Sequence, residues 1–256
     1  MPRVDAIGVS SAGDYIDNEP RVASLFIKVP RENWDKVKTI YTRAAAAIGD
    51  VPLVVANDGD VSALAGAMGL GKGNLIGIAM GTSEAVGYVD KDQNVLGWIN
   101  ELAFAPVDLQ ANALQDEWST DFGIGCKYFS QDAVIKLAPV AGIDVPAELS
   151  LAEKLKFVQK LMEADDERAQ AIFETIGAYL AYTVVLYNQF YDLEYLMLLG
   201  RVMSGKGGDT ILRVCNEVLA AEYPELAKKV CVTLPDEKMR RVGQSMAAAS
   251  LPELRK

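Results

Sequence analysis

The sequence has no histidine among its 256 residues. That absence excludes a Ser-His-Asp or Cys-His nucleophile system and any histidine-held metal. An acid or base working near neutral pH has to be a carboxylate, or a perturbed Lys, Cys or Tyr. Cysteine is scarce too. Cys126, Cys215 and Cys231 are odd in number and far apart, which predicts a reducing compartment without a disulfide framework. Cys215 and Cys231 read as small buried hydrophobes. Positive charge is the minority sign: 25 Lys and Arg stand against 35 Asp and Glu, a formal net charge of −10. Nucleic-acid binding rests on a basic footprint, so neither nucleic acid nor an anionic membrane surface is an expected partner. The apolar runs look shorter than the roughly 20 residues that span a bilayer. No basic stretch leads into an apolar one at the start, so no signal peptide is expected and the expected location is the cytoplasm.

What the chain does have is apolar residues, 50% of the total, enough for a substantial core. Its length suits one large domain or two ordinary ones of roughly 100–200 residues each. Strands are predicted at 4–12, 52–57, 194–200 and 228–235, and 22–30 reads as strand-like or extended. A hairpin is predicted over 74–90, turning around Gly81, Thr82 and Ser83. Helices are predicted at 33–49, capped by Gly49, and at 60–68, with Asp58 or Asp60 near the N-cap. Others follow at 151–164, 166–190, 208–224 (stopped by a proline) and 237–254. The 166–190 helix is apolar nearly all round and should be buried. The stretch 101–130 reads as irregular. Strands alternating with helices predict an α/β fold.

Two glycine-rich segments invite a phosphate reading. "GAMGLGKGN" (66–74) nearly spells a P-loop, but Gly73 stands where Ser or Thr is needed, and a helix precedes it where a strand should. A glycine C-cap is the better reading. "GKGGDT" (205–210) lies between a strand and a helix, so its N–H groups either face a phosphate or form a plain loop. The acidic "EADDE" (163–167) reads as a solvated helix start.

"VPLVVANDGDVSALAGAMG" (51–69) raises the sharpest question: an apolar strand ends at Asn57 and Asp58, and a small-residue helix follows. Asp58 is either a helix cap or a ligand-facing carboxylate, because ligands of α/β sheets bind beyond the carboxyl ends of strands. A carboxylate there can accept the proton of a substrate hydroxyl in phosphoryl transfer.

That stretch resembles the signature of the ROK family of sugar kinases and sugar-responsive repressors, in the actin-like ATPase superfamily. Further pieces resemble the family in order: "AIGVSSAG", "IAMGTSEAVGYV", "GWINELAF", "GCKYFSQDAVIKLA" and "LMLLGRVMSGKGGDTIL". The resemblance covers nearly the whole chain. It implies an α/β, two-lobed actin-like ATPase (ribonuclease H-like) fold and phosphorylation of a hexose-type sugar by ATP with Mg²⁺. Asp58 would be the catalytic base. Asn57, Glu101 and Gly13 would bind sugar, with Glu101 otherwise a plain surface carboxylate. Gly81, Thr82 and Ser83 would line phosphate, and Gly200, Ser204 and Gly205 the adenosine.

The departures carry expectations of their own. At the family's zinc-ligand positions stand Phe104, Ser119, Asp121 and Cys126. Structural zinc takes about four N or S ligands, so no zinc is expected. Tyr128 replaces a sugar-binding Glu, and Glu84 would repel a triphosphate unless a metal intervenes. No Asp-x-Gly-Gly-Thr phosphate hairpin is found. A truncated first lobe is therefore expected over 1–60 plus a closing helix at 238–256, with a second lobe over 61–237 carrying nucleotide-side loops and dimerising helices. A homodimer, or a partner segment supplying the hairpin, is the expected association. The alternative to a kinase is a non-catalytic sugar- or nucleotide-binding module. A DNA-binding repressor has no support, since no helix-turn-helix or basic region is seen.

Overall fold

A computed structural model describes residues 3–253. Two parallel strands, β1 (Ile7–Ser11) and β4 (Leu53–Asn57), form one small sheet in which Ser11 lies opposite Asn57. Between them come the hairpin β2 (Asp14–Ile16) and β3 (Glu19–Val22), a 3-10 turn at Ser24–Phe26, and helices α1 (Trp34–Lys38) and α2 (Ile40–Ile48). A larger sheet has the order β6 (Glu84–Val89), β5 (Leu75–Met80), β7 (Tyr195–Leu199), β8 (Cys231–Thr233), with only β6 antiparallel. Its helices are α3 (Asp58–Leu70), α4 (Gln131–Val140), α5 (Leu151–Glu163), α6 (Glu167–Tyr187), α7 (Gly205–Glu222), α8 (Pro224–Lys229) and α9 (Glu237–Ser250). Of the expected closing helix, 254–256 lie outside the described residues.

The larger sheet is apolar on both faces, which is why its strands read as unbroken apolar runs. Ile76, Ile78, Leu196 and Leu198 face the main core with α4 to α7, while Leu75 and Met197 face α3. Helix α3 is squeezed between that sheet and α9, so its small residues are a packing requirement. A Cβ on Gly87 of β6 would overlap the Gly59 carbonyl oxygen and the Asp60 backbone, and one on Gly66 would lie 2.8 Å from Met197 Sδ. The close approach of α3 to β6 sets the first turn of α3, Asp58 to Asp60, directly over the cleft.

Several expectations are corrected. The segment 22–30 is not extended: after Val22 it coils into 3-10 and turn structure, closed by Phe26 N–H to Ala23 O and Val29 N–H to Phe26 O. Burying Phe26 against Val37 selects that turn and leaves Ile27 exposed. The helix at 33–49 breaks at Thr39, whose hydroxyl bonds back to Asp35 O. Pro224 does not merely end a helix but begins α8, where a missing N–H costs nothing. Helix α4 is additional to the predicted set. Cys231 is exposed on the edge strand β8, although Cys126 and Cys215 are buried. Helix α6, at 21 residues, is long and apolar enough to cross a bilayer, but here it is packed within the core against α7.

Candidate functional site

The carboxyl ends of β1, β4, β5 and β7 converge, and the cleft lies there. Asn57, not Asp58 or Asp60, is the N-cap of α3: its Oδ1 accepts from Gly59 N–H at 2.7 Å. Its Nδ2 donates to Gly13 O at 3.0 Å. Both ends of the amide are thus used within the protein, tying α3 to the turn after β1. Gly13 holds φ +116, and a Cβ there would press on the Val22 carbonyl and Ala23, so only glycine fits. Relieved of capping, the Asp58 carboxylate is half-buried in the cleft. Burial raises its pKa, opposed by the N–H groups of Asp58 and Gly59.

Three cavities lie along this cleft, and Asp58 lines two of them. One of about 440 Å³ lies between the β1–β2 turn and the 98–126 loops, lined by Gly13, Asp58, Glu101, Trp98, Phe104 and Trp118 among others. A second, of about 460 Å³, lies beside Gly200 and Ser204, with Leu198, Leu199 and Pro235 as apolar lining. A third connects them: it shares Gln244 and Ser245 with the second cavity and Asp58 with the first. Gln244 Nε2 donates to Ser62 Oγ at 2.7 Å, fixing α9 on α3 at this junction.

The predicted residues are only partly brought together. Asp58, Asn57, Gly13 and Glu101 line the first cavity, as does Ser83. Gly200 and Ser204 line the second, but Gly81, Thr82 and Gly205 line neither. Gly81 is braced instead, its carbonyl accepting from Gln131 N–H at 2.9 Å. Gly205 packs on α5, and Glu163 there accepts from Lys206 N–H at 2.9 Å. A carboxylate thus already sits at the first turn of α7, so "GKGGDT" presents no free phosphate cradle there. "GAMGLGKGN" is a helix end, with Gly71 in the left-handed region as the C-cap.

Glu84 behaves unlike its expectation. It is 6% exposed, and neither carboxylate oxygen has a hydrogen-bond partner. Burial pushes its pKa well above the usual range, and its carboxylate is enclosed in the protein where the expectation had it facing a triphosphate. It lies beside Gly125 and in the field of Tyr187, whose hydroxyl is also buried without a partner.

Sequence reasoning missed Asp60 and Asn100. Asp60 accepts from Asn100 Nδ2 at 2.9 Å, and Asn100 Oδ1 accepts from Tyr191 Oη–H at 3.0 Å. Burial raises Asp60 to about 6, with Asp14 and Asp58 adding repulsion. The signal was the Asp-Gly-Asp spacing, in which the third residue points back into the cleft. A carboxyl raised in the folded state stabilises below its unfolded pKa of about 3.9 and loses that contribution as pH rises through 6. Asp60→Asn is therefore expected to melt about 3–6 °C above wild type at pH 8, for about 1–2 kcal/mol regained, with the gap closing by pH 4. Thermal scans across pH check this. A less stable variant at pH 8 would show that its hydrogen bonds outweigh the charge.

At the aligned zinc positions the donor set does not fit zinc. Phe104 offers no ligand and packs against Trp118 at a tilt of 44°, ring centres 5.6 Å apart, while Cys126 Sγ lies 3.8 Å from Asp116 Oδ1 as its donor. Among the described residues no group of three His, Cys, Asp or Glu could hold a metal ion. The loop is tied instead by Lys127, 4% exposed, whose Nζ meets Asp116 at 3.2 Å, Asp132 at 2.8 Å and Glu117 at 2.5 Å. Tyr128, at the position of a family sugar ligand, turns away to donate to Asp108 Oδ2 at 2.7 Å.

Comparison with solved structures settles the architecture. A ROK-family glucokinase from Streptomyces griseus, in complex with glucose and AMPPNP, superposes with a TM-score of 0.72 at 18% identity, over 98% of this chain and 82% of that one. A ROK hexokinase from Thermus thermophilus gives 0.68 at 17% identity, over 96% and 78%. The chain has the ROK sugar-kinase fold, an α/β actin-like ATPase fold. A ROK-family transcriptional regulator, a homologue of the E. coli MLC protein, also superposes, with a TM-score of 0.63 at 16% identity over 83% of this chain and 55% of that one. A scan against protein-family models and a search of curated proteins each gave no match. Among the described residues, the sheet of β1 and β4 has two strands, and one edge of β1 carries no strand partner.

Proposed function

We propose that this chain is a ROK-type sugar kinase that transfers the γ-phosphoryl group of ATP to a hexose-type sugar. One observation carries the proposal: Asp58 borders both the cavity beneath Trp98 and the one that leads to Gly200. A carboxylate at that junction can take the proton of a hydroxyl as the hydroxyl attacks a phosphate arriving from the other side. Burial raises its pKa toward the working pH. Glu101 at the rim is placed to accept from sugar hydroxyls. Gly13 and Asn57 shape the floor, with Asn57 acting by holding Asp58. The cavity at Gly200 and Ser204 would take the adenosine against Leu198, Leu199 and Pro235. Magnesium takes one or two carboxylates together with substrate phosphates; on the phosphate side Asp58 is the carboxylate among the described lining residues, so the ion would come with the nucleotide. Use of ATP would place the reaction in the cytoplasm.

A second reading is a binding module that needs a partner segment, favoured by the unpaired edge of β1 beside the connecting cavity. Calorimetry with Mg-ATP and a hexose panel, alone and together, separates the two. The kinase reading expects both ligands to bind with positive coupling. Sugar binding that ignores nucleotide would leave the binding module, and binding of neither would end both readings.

A further inference from the structure

The cavity that Asp58 and Glu101 line has two kinds of wall. Its polar groups gather at the β1–β2 turn and the start of α3, with Glu101 at the rim. Its large apolar groups come from other segments: Val22 and Ile27 from the end of β3 and the turn after it, and Trp98, Phe104 and Trp118 from the loops after β6. Val22, Ile27, Trp98 and Trp118 are each between 52% and 63% exposed. Two of the three tryptophans of the chain thus stand open to solvent in one concave place, and exposed apolar groups gathered in this way mark a binding site. They are also held in position before any ligand arrives. Trp98 lies nearly parallel to the buried ring of Tyr88, ring centres 5.9 Å apart. Trp118 packs against Phe104, and its backbone N–H donates at 3.2 Å to Asp116 Oδ2, on the carboxylate that Lys127 pairs with. Ile27 is turned out by the same turn that buries Phe26. Charge narrows the occupant. Among the described lining residues there is no Lys or Arg, whereas Asp14, Asp58 and Glu101 are present, so a phosphate or carboxylate group on the ligand would be repelled. At about 440 Å³ the cavity falls within the roughly 300–1,000 Å³ of pockets that take drug-sized ligands, which are larger than one hexose. Polar floor and apolar walls belong to a single cavity, so one neutral ligand has to satisfy both.

Resting on the sugar-site reading above, we propose that the substrate is a neutral glycoside, a sugar bearing an aromatic or alkyl group that lies against Trp98, Trp118 and Ile27. The sugar hydroxyls remain with Asp58 and Glu101. The apolar group covers side chains that water otherwise meets, and the gain is that of removing apolar surface from water.

Calorimetry of the intact protein with glucose, phenyl α-glucoside, phenyl β-glucoside and phenol tests this. At least one of the two glycosides is expected to bind about tenfold or more tightly than glucose, since burying a ring of the size of a Phe side chain is worth roughly ten- to a hundredfold. Trp118→Ala is expected to cut that ratio to about threefold or less. Ile27→Ala is a second variant, at another exposed position, and should also lower the ratio. A ratio unchanged in both variants overturns the proposal. Glycosides that bind no more tightly than glucose overturn it and leave the sugar site standing, the result expected if the apolar walls only close on one another over a plain sugar. Binding of neither glucose nor either glycoside overturns both readings together. Phenol binding as tightly as the better glycoside also overturns the proposal, since the sugar would then contribute nothing.

Discussion

Asp58→Asn is expected to lower kcat for sugar phosphorylation by about 10²- to 10⁴-fold, the range that a positioned general base contributes. The substitution is nearly isosteric, and the reason it can be read cleanly lies in Asn57. Because Asn57 supplies the N-cap of α3 through Gly59 N–H, removing the Asp58 charge does not uncap the helix. What is lost structurally is an acidic group in the first turn, about 0.3–1 kcal/mol at most for an exposed site. Burial already disfavours the Asp58 carboxylate, so the variant should fold at least as well as wild type. Sugar affinity should change by only a few-fold, since Glu101 and the cavity floor remain. The expected pattern is a large fall in kcat with a small change in sugar Kd, measured by coupled ADP release and calorimetry. Unchanged turnover would remove Asp58 from the chemistry and return it to the role of a surface-facing helix residue.

How much of this was legible beforehand depends on what local sequence can encode. The strand end at Asn57 and Asp58 was legible, because an apolar run broken by two polar residues before a small-residue helix has few other meanings. The hairpin around Gly81 and the helices α5 and α6 were legible from period and length. The division of labour between Asn57 and Asp58 was not, because either side chain can cap, and only the approach of Gly13 O to Asn57 Nδ2 decides it. Glu84 was misread for a related reason. Its sequence neighbours say it starts a strand; they do not say that Gly125, 41 positions later, will seal it from water. The hairpin β2–β3 has strands of three and four residues, too short to leave a period. Gly205 matched the expected nucleotide loop by spacing alone, and Glu163 from another helix claims its turn. In each case the missing information is a contact between residues far apart in the chain.

The same limit explains the loop at 106–126, where the buried lysine beside it was not legible. Lys127→Met is expected to lower the melting temperature by about 6–12 °C. Lys127 Nζ lies between Asp116, Asp132 and Glu117, and of these Asp116 is 10% exposed in its side chain. Removing one partner of a buried ion pair costs about 3–5 kcal/mol, because the partners stay behind unpaired. The lower end applies here, since Glu117 is largely exposed and can turn to water. For a chain of this size, about 3 kcal/mol corresponds to the shift given. Acid should erase the difference. The Lys127 hydrogen bond, with help from Lys136, holds Glu117 at about 2. Burial alone would raise Asp116, but Ser119 N–H and the Lys127 ammonium hold it below its ordinary value. A carboxyl depressed in the folded state contributes stability above its unfolded pKa of about 4 and loses it as pH falls. Wild type should therefore lose this contribution between about pH 4 and pH 2, and the two melting curves should converge over that window. Because Asp116, Trp118 and Cys126 line the cavity assigned to sugar in the proposed kinase, that reading expects the variant to bind sugar more weakly at pH 7, with a partial return on refilling the site as Lys127→Arg. A melting temperature independent of Lys127 would mean that Asp108, Tyr128 and Tyr179 hold the loop by themselves, and that the buried lysine serves the shape of the cavity alone.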